Sequence, residues 1–214
     1  MLYNYVMPEW IGTTIGKVRI DKYLARGGMA EVYLGTHLSL ERLVAVKVLH
    51  GFIEEHADLI TRFHREAKVV AGLRHPGIVQ IYDFDAMDGH PYIVMEYLNG
   101  PTLAHYLRTL HSRGELIPPN QIARLLKGIT AAMDYAHGQG VIHRDIKPGN
   151  MILQSNSGEV STETPLPRDV EAIITDFGLV RIANSATQTA SGPDRKSTRL
   201  NASHIQKSRM PSSA

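Results

Sequence analysis

Short alternating and β-branched runs fill the first hundred residues, and longer helical periods take over after them. Segments 17–25 and 30–36 are strand-like and flank Arg26-Gly27-Gly28-Met29, while valine-rich 43–49 reads as a third strand. Leu59, Phe63, Ala67, Val70 and Leu73 recur at helical spacing and predict a helix over 58–73, closed by Arg74-His75-Pro76-Gly77. Two more strands, 78–84 and 92–97, are joined through Asp88-Gly89. The pattern predicts a five-stranded antiparallel lobe with one helix, its core drawn from Val44, Val46, Phe63, Val70, Ile81 and Ile93.

Beyond Gly100 a short amphipathic helix is expected over 102–113. Pro118-Pro119-Asn120 opens a longer one with Ile122, Leu125, Leu126, Ile129, Met133 and Ala136 on one face, ending at Gly138 or Gly140. Strands at 151–153 and 172–175 enclose a polar loop, expected to bulge outward between Gln154 and Val170. From Ala183 the periodic signal is gone. The fold class is therefore α+β, a small sheet lobe followed by the first part of a mainly helical one.

Composition narrows the function classes. With 43% apolar and 21% charged residues the chain is an ordinary globular one. It has no cysteine, which excludes disulfides, thiolate metal sites and cysteine nucleophiles. The eleven histidines have no paired ligand spacing, so a zinc or iron site is not expected. No apolar run is long enough to span a bilayer, and the N-terminus lacks the basic start and apolar run of a secretory signal, so a cytoplasmic location is expected. The net charge of +2 comes from the end of the chain. From Asp194 onward, five cations face that one acid, so the first 193 residues sum to −2, which gives no case for nucleic-acid binding.

Three separated regions carry candidate chemistry. Ala25-Arg26-Gly27-Gly28-Met29-Ala30-Glu31-Val32 is a glycine-containing turn between strands, where backbone amides can approach a phosphate or simply close a hairpin. Lys47, in Val44-Ala45-Val46-Lys47-Val48-Leu49, shares a strand face with Ala45 and Leu49. Glu66, on the buried side of its helix, needs a counter-charge that Lys47 can supply, or Arg62 one turn earlier. The third region is His143-Arg144-Asp145-Ile146-Lys147-Pro148-Gly149-Asn150, followed by Thr175-Asp176-Phe177-Gly178. Asp145 can accept or orient the proton of an attacking hydroxyl. Asn150 and Asp176 offer the hard oxygen ligands that magnesium requires, and Lys147 is a point charge for a transferring phosphoryl group.

In this order the motifs match the protein-kinase signature set, and from about Thr14 to Thr189 the chain resembles bacterial serine/threonine protein kinases of the eukaryotic-like group. The resemblance includes Gly27-Gly28-Met29-Ala30-Glu31-Val32-Tyr33 and Tyr92-Ile93-Val94-Met95-Glu96-Tyr97. It implies ATP and Mg2+ as cofactors, a protein substrate, and a homodimer for autophosphorylation. Lys47, Glu66, Asp145 and Lys147 would serve catalysis, and Asn150 and Asp176 would hold the metal. Ala25, Gly27 and Gly28 would line the phosphates, and Val32, Ala45 and Ile152 would sandwich the adenine. Met95 would be the gatekeeper and Glu96 to Leu98 the hinge. Thr187 and Thr189 would be activation-loop phosphosites, with Arg144 as the phosphate's partner. A non-catalytic, pseudokinase-like nucleotide-binding module is the alternative.

The sequence departs from the family pattern in three ways. Of three patterned glycines only Gly27 is present, with Ala25 and Ala30 in the other positions. The stretch between Asn150 and Asp176 is longer than the family usually has. No segment resembles the rest of a large lobe, so the fragment itself is expected to be inactive. The expected organisation is a leader (1–13), a kinase N-lobe (14–98), a partial C-lobe (99–193) and a tail (194–214) that resembles the translation of a sequencing adapter and is expected to be non-native.

Overall fold

Residues 10–28, 30–50 and 57–177 are described by the computed structural model. Gly178, Thr187, Thr189 and the 194–214 tail lie outside the described residues. The first lobe is one antiparallel sheet of β1 (Thr14–Ile15), β2 (Val18–Arg26), β3 (Ala30–His37), β4 (Arg42–Leu49), β5 (Ile81–Met87) and β6 (His90–Glu96), in the order β1-β2-β3-β4-β6-β5. The five expected strands are all present, and the two-residue β1 adds a sixth. Asp88 (φ 49) and Gly89 (φ 73) both take left-handed backbone between β5 and β6. That pair is the signature of a tight two-residue hairpin turn. Helix α1 (Ala57–Ala71) packs on β5, with Phe63 edge-on to Phe84 at 6.2 Å between ring centroids.

Alternation along β4 sorts its side chains to two faces, and the lobe has two apolar clusters rather than the single core expected. Val44, Val46 and Val48 face outward with Ile15, Val18, Ile20, Tyr33, Tyr92 and Val94. Ala45 and Leu49 face inward, with Phe63, Val70, Ile81 and Ile93. Trp10, in the segment expected as a leader, belongs to the outer cluster at 4% exposure. Its ring stands edge-on to His90 at 5.8 Å.

The inner cluster continues without a break into the second lobe, through Leu98 to Leu103, Tyr106, Leu125, Ile129, Leu153, Ile174 and Phe177. There α2 (Leu103–Ser112) is capped by Thr102, whose hydroxyl accepts from His105 N at 3.1 Å. Helix α3 (Pro119–Gly138) begins on Pro119, a position where a missing N–H costs nothing, and Gly140 (φ 74) follows its end. Leu125, Ile129, Ala132 and Ala136 of α3 are buried, whereas Ile122 and Leu126 are exposed. A two-stranded antiparallel sheet, β7 (Met151–Gln154) with β8 (Glu171–Ile174), lies beside it. No helix among the described residues is long and apolar enough to cross a membrane.

Two further expectations need correction. Ile78 and Val79 are not in β5, because β8 takes their region first: Val79 N donates to Ile174 O, and Ile174 N donates to Gly77 O, both at 2.9 Å. The loop joining β7 to β8 does not bulge outward. Its apolar residues Val160, Leu166 and Val170 are buried. Tyr106 Oη donates to Thr164 O, Gln121 Nε2 donates to Leu166 O, and Arg113 pairs with Glu163. Within the loop, hydrogen bonds from Ser157 and Ser155 hold the Asp169 carboxyl down at about 2.

Because Trp10 closes the outer cluster, Trp10→Ala should destabilise the protein by about 3 kcal/mol. Urea unfolding followed by circular dichroism measures this; an unchanged midpoint would show that the indole packs on nothing that matters.

Candidate active site

The two loops that carry the strongest motif are held by one ring. His143 is fully buried. Its Nδ1 accepts from Asp145 N at 3.3 Å, which makes Nε2 the protonated nitrogen, and that N–H donates to Thr175 O at 2.7 Å. The Phe177 ring meets it edge-on at 4.5 Å. Burial pushes the imidazole's pKa down, so the neutral form with one N–H is favoured. The residues that follow and precede these contacts are strained. Arg144 (φ 68) and Asp176 (φ 66) are non-glycine residues in left-handed backbone, a conformation that costs about 1–3 kcal/mol each and persists only where surroundings impose it.

Around this pin stand the expected polar groups. Lys147 Nζ donates to Asp145 Oδ2 at 2.7 Å. Asn150 Nδ2 donates to Asp145 O at 2.8 Å and to Oδ2 at 3.0 Å. The Lys147 hydrogen bond, ahead of the Asn150 one, holds the Asp145 carboxyl below the ordinary carboxylate value. Asp145 is therefore an ionised acceptor at neutral pH. Asn150 sits on a 3-10 turn (Pro148–Asn150) that leads into β7, and its own carbonyl accepts from Thr175 N at 2.9 Å. The β7–β8 register, Met151 opposite Ile174, thus brings Asn150 and Asp176 to one end of the hairpin.

From the sheet lobe, Lys47 reaches across to this end and its ammonium pairs with Asp176 Oδ1 at 2.7 Å. That corrects the expected Lys47–Glu66 ion pair. The strained turn at Asp176 presents its carboxylate to the ammonium at contact distance, and Glu66 is half-buried on α1. Asn150, with its amide nitrogen spent on Asp145, keeps an oxygen to offer, and Asp176 adds a carboxylate. A mixed oxygen set of this kind suits magnesium, which holds few protein ligands and keeps several waters. Among the described residues no group of three or more histidines and acids is placed to hold a metal ion.

The remaining candidates line the gap between the lobes. Ala45 lies opposite Met95 in the β4–β6 register and opposite Leu34 on β3, and Val32 lies opposite Lys47. Ala45, Met95 and Leu98 are buried in the inner cluster, with Val32 and Ile152 packed against it. Ile152 comes from the other lobe, placed by its bridge to Thr102 and by Leu153 N donating to Pro101 O at 2.9 Å. A Cβ added at Gly100 would strike Leu153 O, so only glycine allows this close approach. Glu96 N is committed to Gln80 O at 2.9 Å, while among the described residues the Leu98 N–H has no hydrogen-bond partner. Ala25, Gly27 and Gly28 are exposed on the β2–β3 hairpin, whose turn is closed by Gly27 N donating to Ala30 O at 2.8 Å.

Sequence reasoning assigned no role to His143 or Thr175, although the histidine stands first in the His143-Arg144-Asp145 triplet. It also passed over Glu31, which is 5% exposed and accepts from Tyr33 Oη at 2.6 Å. A lone carboxylate in a strand, two residues before a tyrosine, was the available signal.

A family model described as the protein kinase domain matches residues 18–199. The chain is 36% identical over 175 residues to the serine/threonine-protein kinase Pkn1 of Myxococcus xanthus, covering 82% of this chain and 23% of that protein. It is 39% identical over 183 residues to a probable serine/threonine-protein kinase PknB of Lactococcus lactis, covering 82% and 26%. Among solved structures, the kinase domain of Mycobacterium tuberculosis PknI superposes with a TM-score of 0.63 at 29% identity, covering 78% of this chain and 62% of that one. The chain spans about a quarter of the length of the curated relatives it matches.

The buried histidine gives a pH test. Its folded pKa lies below its unfolded value of about 6.5. As pH falls through that value the unfolded chain takes up the proton first, so stability from this site is whole above it and declines below. Urea titrations between pH 7.5 and 5.5 should show a steeper loss in the wild type than in His143→Asn; parallel profiles would show the ring is not buried neutral.

Proposed function

Because the chain belongs to the protein kinase family, we propose that it forms the nucleotide-binding and phosphoryl-transfer part of a serine/threonine kinase, moving the γ-phosphoryl group of magnesium-ATP to a protein hydroxyl. The observation that carries this reading is the His143 pin, which joins Asp145, Lys147 and Asn150 to Asp176 and, through the 2.7 Å ion pair, to Lys47. A cluster of this composition is suited to phosphoryl transfer, where catalysis is mostly positioning and charge stabilisation.

In this reading each residue has one task. Asp145, kept ionised by Lys147 and Asn150, accepts a hydrogen bond from the substrate hydroxyl and orients its oxygen toward the terminal phosphorus. The O–P bond forms, the bond to the leaving ADP oxygen breaks, and the hydroxyl proton passes to the carboxylate side. Lys147 and Lys47 supply positive charge beside the oxygens on which negative charge accumulates. Asn150 and Asp176 would hold magnesium, which neutralises phosphate charge when bound. Val32, Ala45 and Ile152 give the adenine apolar walls, Met95 the back of its pocket, and the Leu98 N–H along the Glu96 to Leu98 segment a donor for its edge. Glu66, half-buried on α1, would meet the Lys47 ammonium when Asp176 turns to the metal. Protein substrates belong to the same reading, supported by the names of the relatives; it also includes a homodimer for autophosphorylation through Thr187 and Thr189, and a cytoplasmic location in keeping with the cysteine-free chain.

The test uses the intact protein that carries this domain, with radiolabelled ATP. Asp176→Asn should abolish transfer. Asp145→Asn should lower turnover by about 10²-fold or more while leaving magnesium-ATP affinity near wild type. Normal turnover in Asp176→Asn would sink the assignment, and a wild type that binds ATP without transferring phosphate would make the domain a non-catalytic binder.

A further inference from the structure

The β2–β3 hairpin poses a physical problem that the nucleotide reading leaves open. A turn whose amides are to meet phosphates must be presented from a defined base, and this one has alanine at two positions where the family pattern has glycine. Gly27 and Gly28 are exposed, and a Cβ placed at Gly28 would meet nothing within 4 Å. Among the described residues the turn has the backbone bond from Gly27 N to Ala30 O and a 3.4 Å contact of His50 Nδ1 with Gly28 O.

The strands just behind it carry a set of contacts. Glu31 lies opposite Arg26 in the β2–β3 register, at the pair that flanks the turn. A carboxylate at 5% exposure loses its hydration and needs strong partners. Glu31 has two: Tyr33 Oη donates to Oε2 at 2.6 Å, and Arg26 Nε stands 3.5 Å from Oε1. Tyr33 is itself buried in the outer cluster and holds Tyr23 edge-on at 5.6 Å across the same hairpin. Strand alternation then decides where this brace sits. Glu31 and Tyr33 share one face of β3, and Val32, packed against the inner cluster, takes the other. The brace is thus on the side of the sheet away from the adenine walls.

We propose that Glu31 is a positioning residue for the nucleotide's phosphates: by tying Arg26 to Tyr33 at the root of the β2–β3 hairpin, it fixes the Gly27-Gly28 turn without touching the ligand. The inference rests on the nucleotide-site reading above. It explains how a turn with one patterned glycine keeps its shape: the anchor is the buried Glu31 carboxylate, held by the Tyr33 hydroxyl from the outer cluster and by the exposed Arg26 guanidinium.

The test compares two ligands that differ only in phosphates. In the intact protein carrying this domain, calorimetric or NMR titration gives Kd for magnesium-ATP and for adenosine, in the wild type, Glu31→Gln and Tyr33→Phe. Glu31→Gln should weaken magnesium-ATP by about tenfold, the loss expected for a charged hydrogen-bond partner, and leave adenosine unchanged. Tyr33→Phe, which keeps the carboxylate and the ring, should weaken ATP by about threefold, again sparing adenosine, and carries the test alone if Glu31→Gln does not fold. Equal weakening of both ligands would mean a general structural role, and unchanged ATP affinity would mean no role; either overturns the proposal while the nucleotide site stands. A wild type that binds neither ligand would overturn the site itself, and the proposal with it.

Discussion

Everything chemical in this chain depends on one imidazole with both nitrogens in use. Nδ1 of His143 takes the amide of Asp145, Nε2 gives its proton to the carbonyl of Thr175, and so two loops 32 residues apart are set against each other. The strain at Arg144 and Asp176 persists beside a buried contact, where each unmade hydrogen bond would cost about as much as a strained residue does. Neither Asp145 nor Asp176 can be placed independently. A displacement of one loop is a displacement of the other.

The second constraint is the continuity of the inner cluster. Ala45 and Leu49 from the sheet, Leu98 from the connection, and Leu153 and Ile174 from the small hairpin belong to one body of apolar contacts. Lys47 stands on the same strand as Ala45, so packing that fixes the apolar walls also fixes the ammonium that meets Asp176. The glycine turn is the exception, since it projects from this body and takes its stiffness from the outer cluster instead. One sheet therefore serves the site with both faces, the inner for walls and charge, the outer for the shape of the turn.

Much of this was legible in the sequence because the signals were local. Valines alternating with Ala45, Lys47 and Leu49 gave the strand and its two faces, and the Asp88-Gly89 pair gave the hairpin. Polar residues at fixed spacing from Asp145 to Asp176 gave the site. What was not legible depended on long-range competition. Sequence reasoning paired Lys47 with Glu66 and did not weigh Asp176, whose left-handed turn presents its carboxylate to the ammonium. The start of β5 was misplaced because Gly77 O and Val79 N, on either side of Ile78, bond to Ile174 of β8, some ninety-five residues later in the chain. The polar loop after β7 was read from its composition, yet Val160, Leu166 and Val170 are enough apolar anchors to fold it back over α2. Two apolar clusters were merged into one because alternation shows that a strand has two faces without showing that both are covered.

The strand order of the first lobe also bears on how the protein is made. β1 to β4 pair each with the next in sequence, so they can assemble as a meander while synthesis proceeds, through contacts of short loop length. β4 must then wait. Its open side is filled by β6, which pairs Val44 with Glu96 and Val48 with Tyr92, and β6 leaves the ribosome only after α1 and β5 have been made. During that interval a valine-rich edge is unpaired, the kind of surface that recruits strands from other chains. The window in which a nascent chain is prone to aggregate is thus set by the length of the helix-bearing segment between β4 and β6, and it closes when Glu96 has emerged.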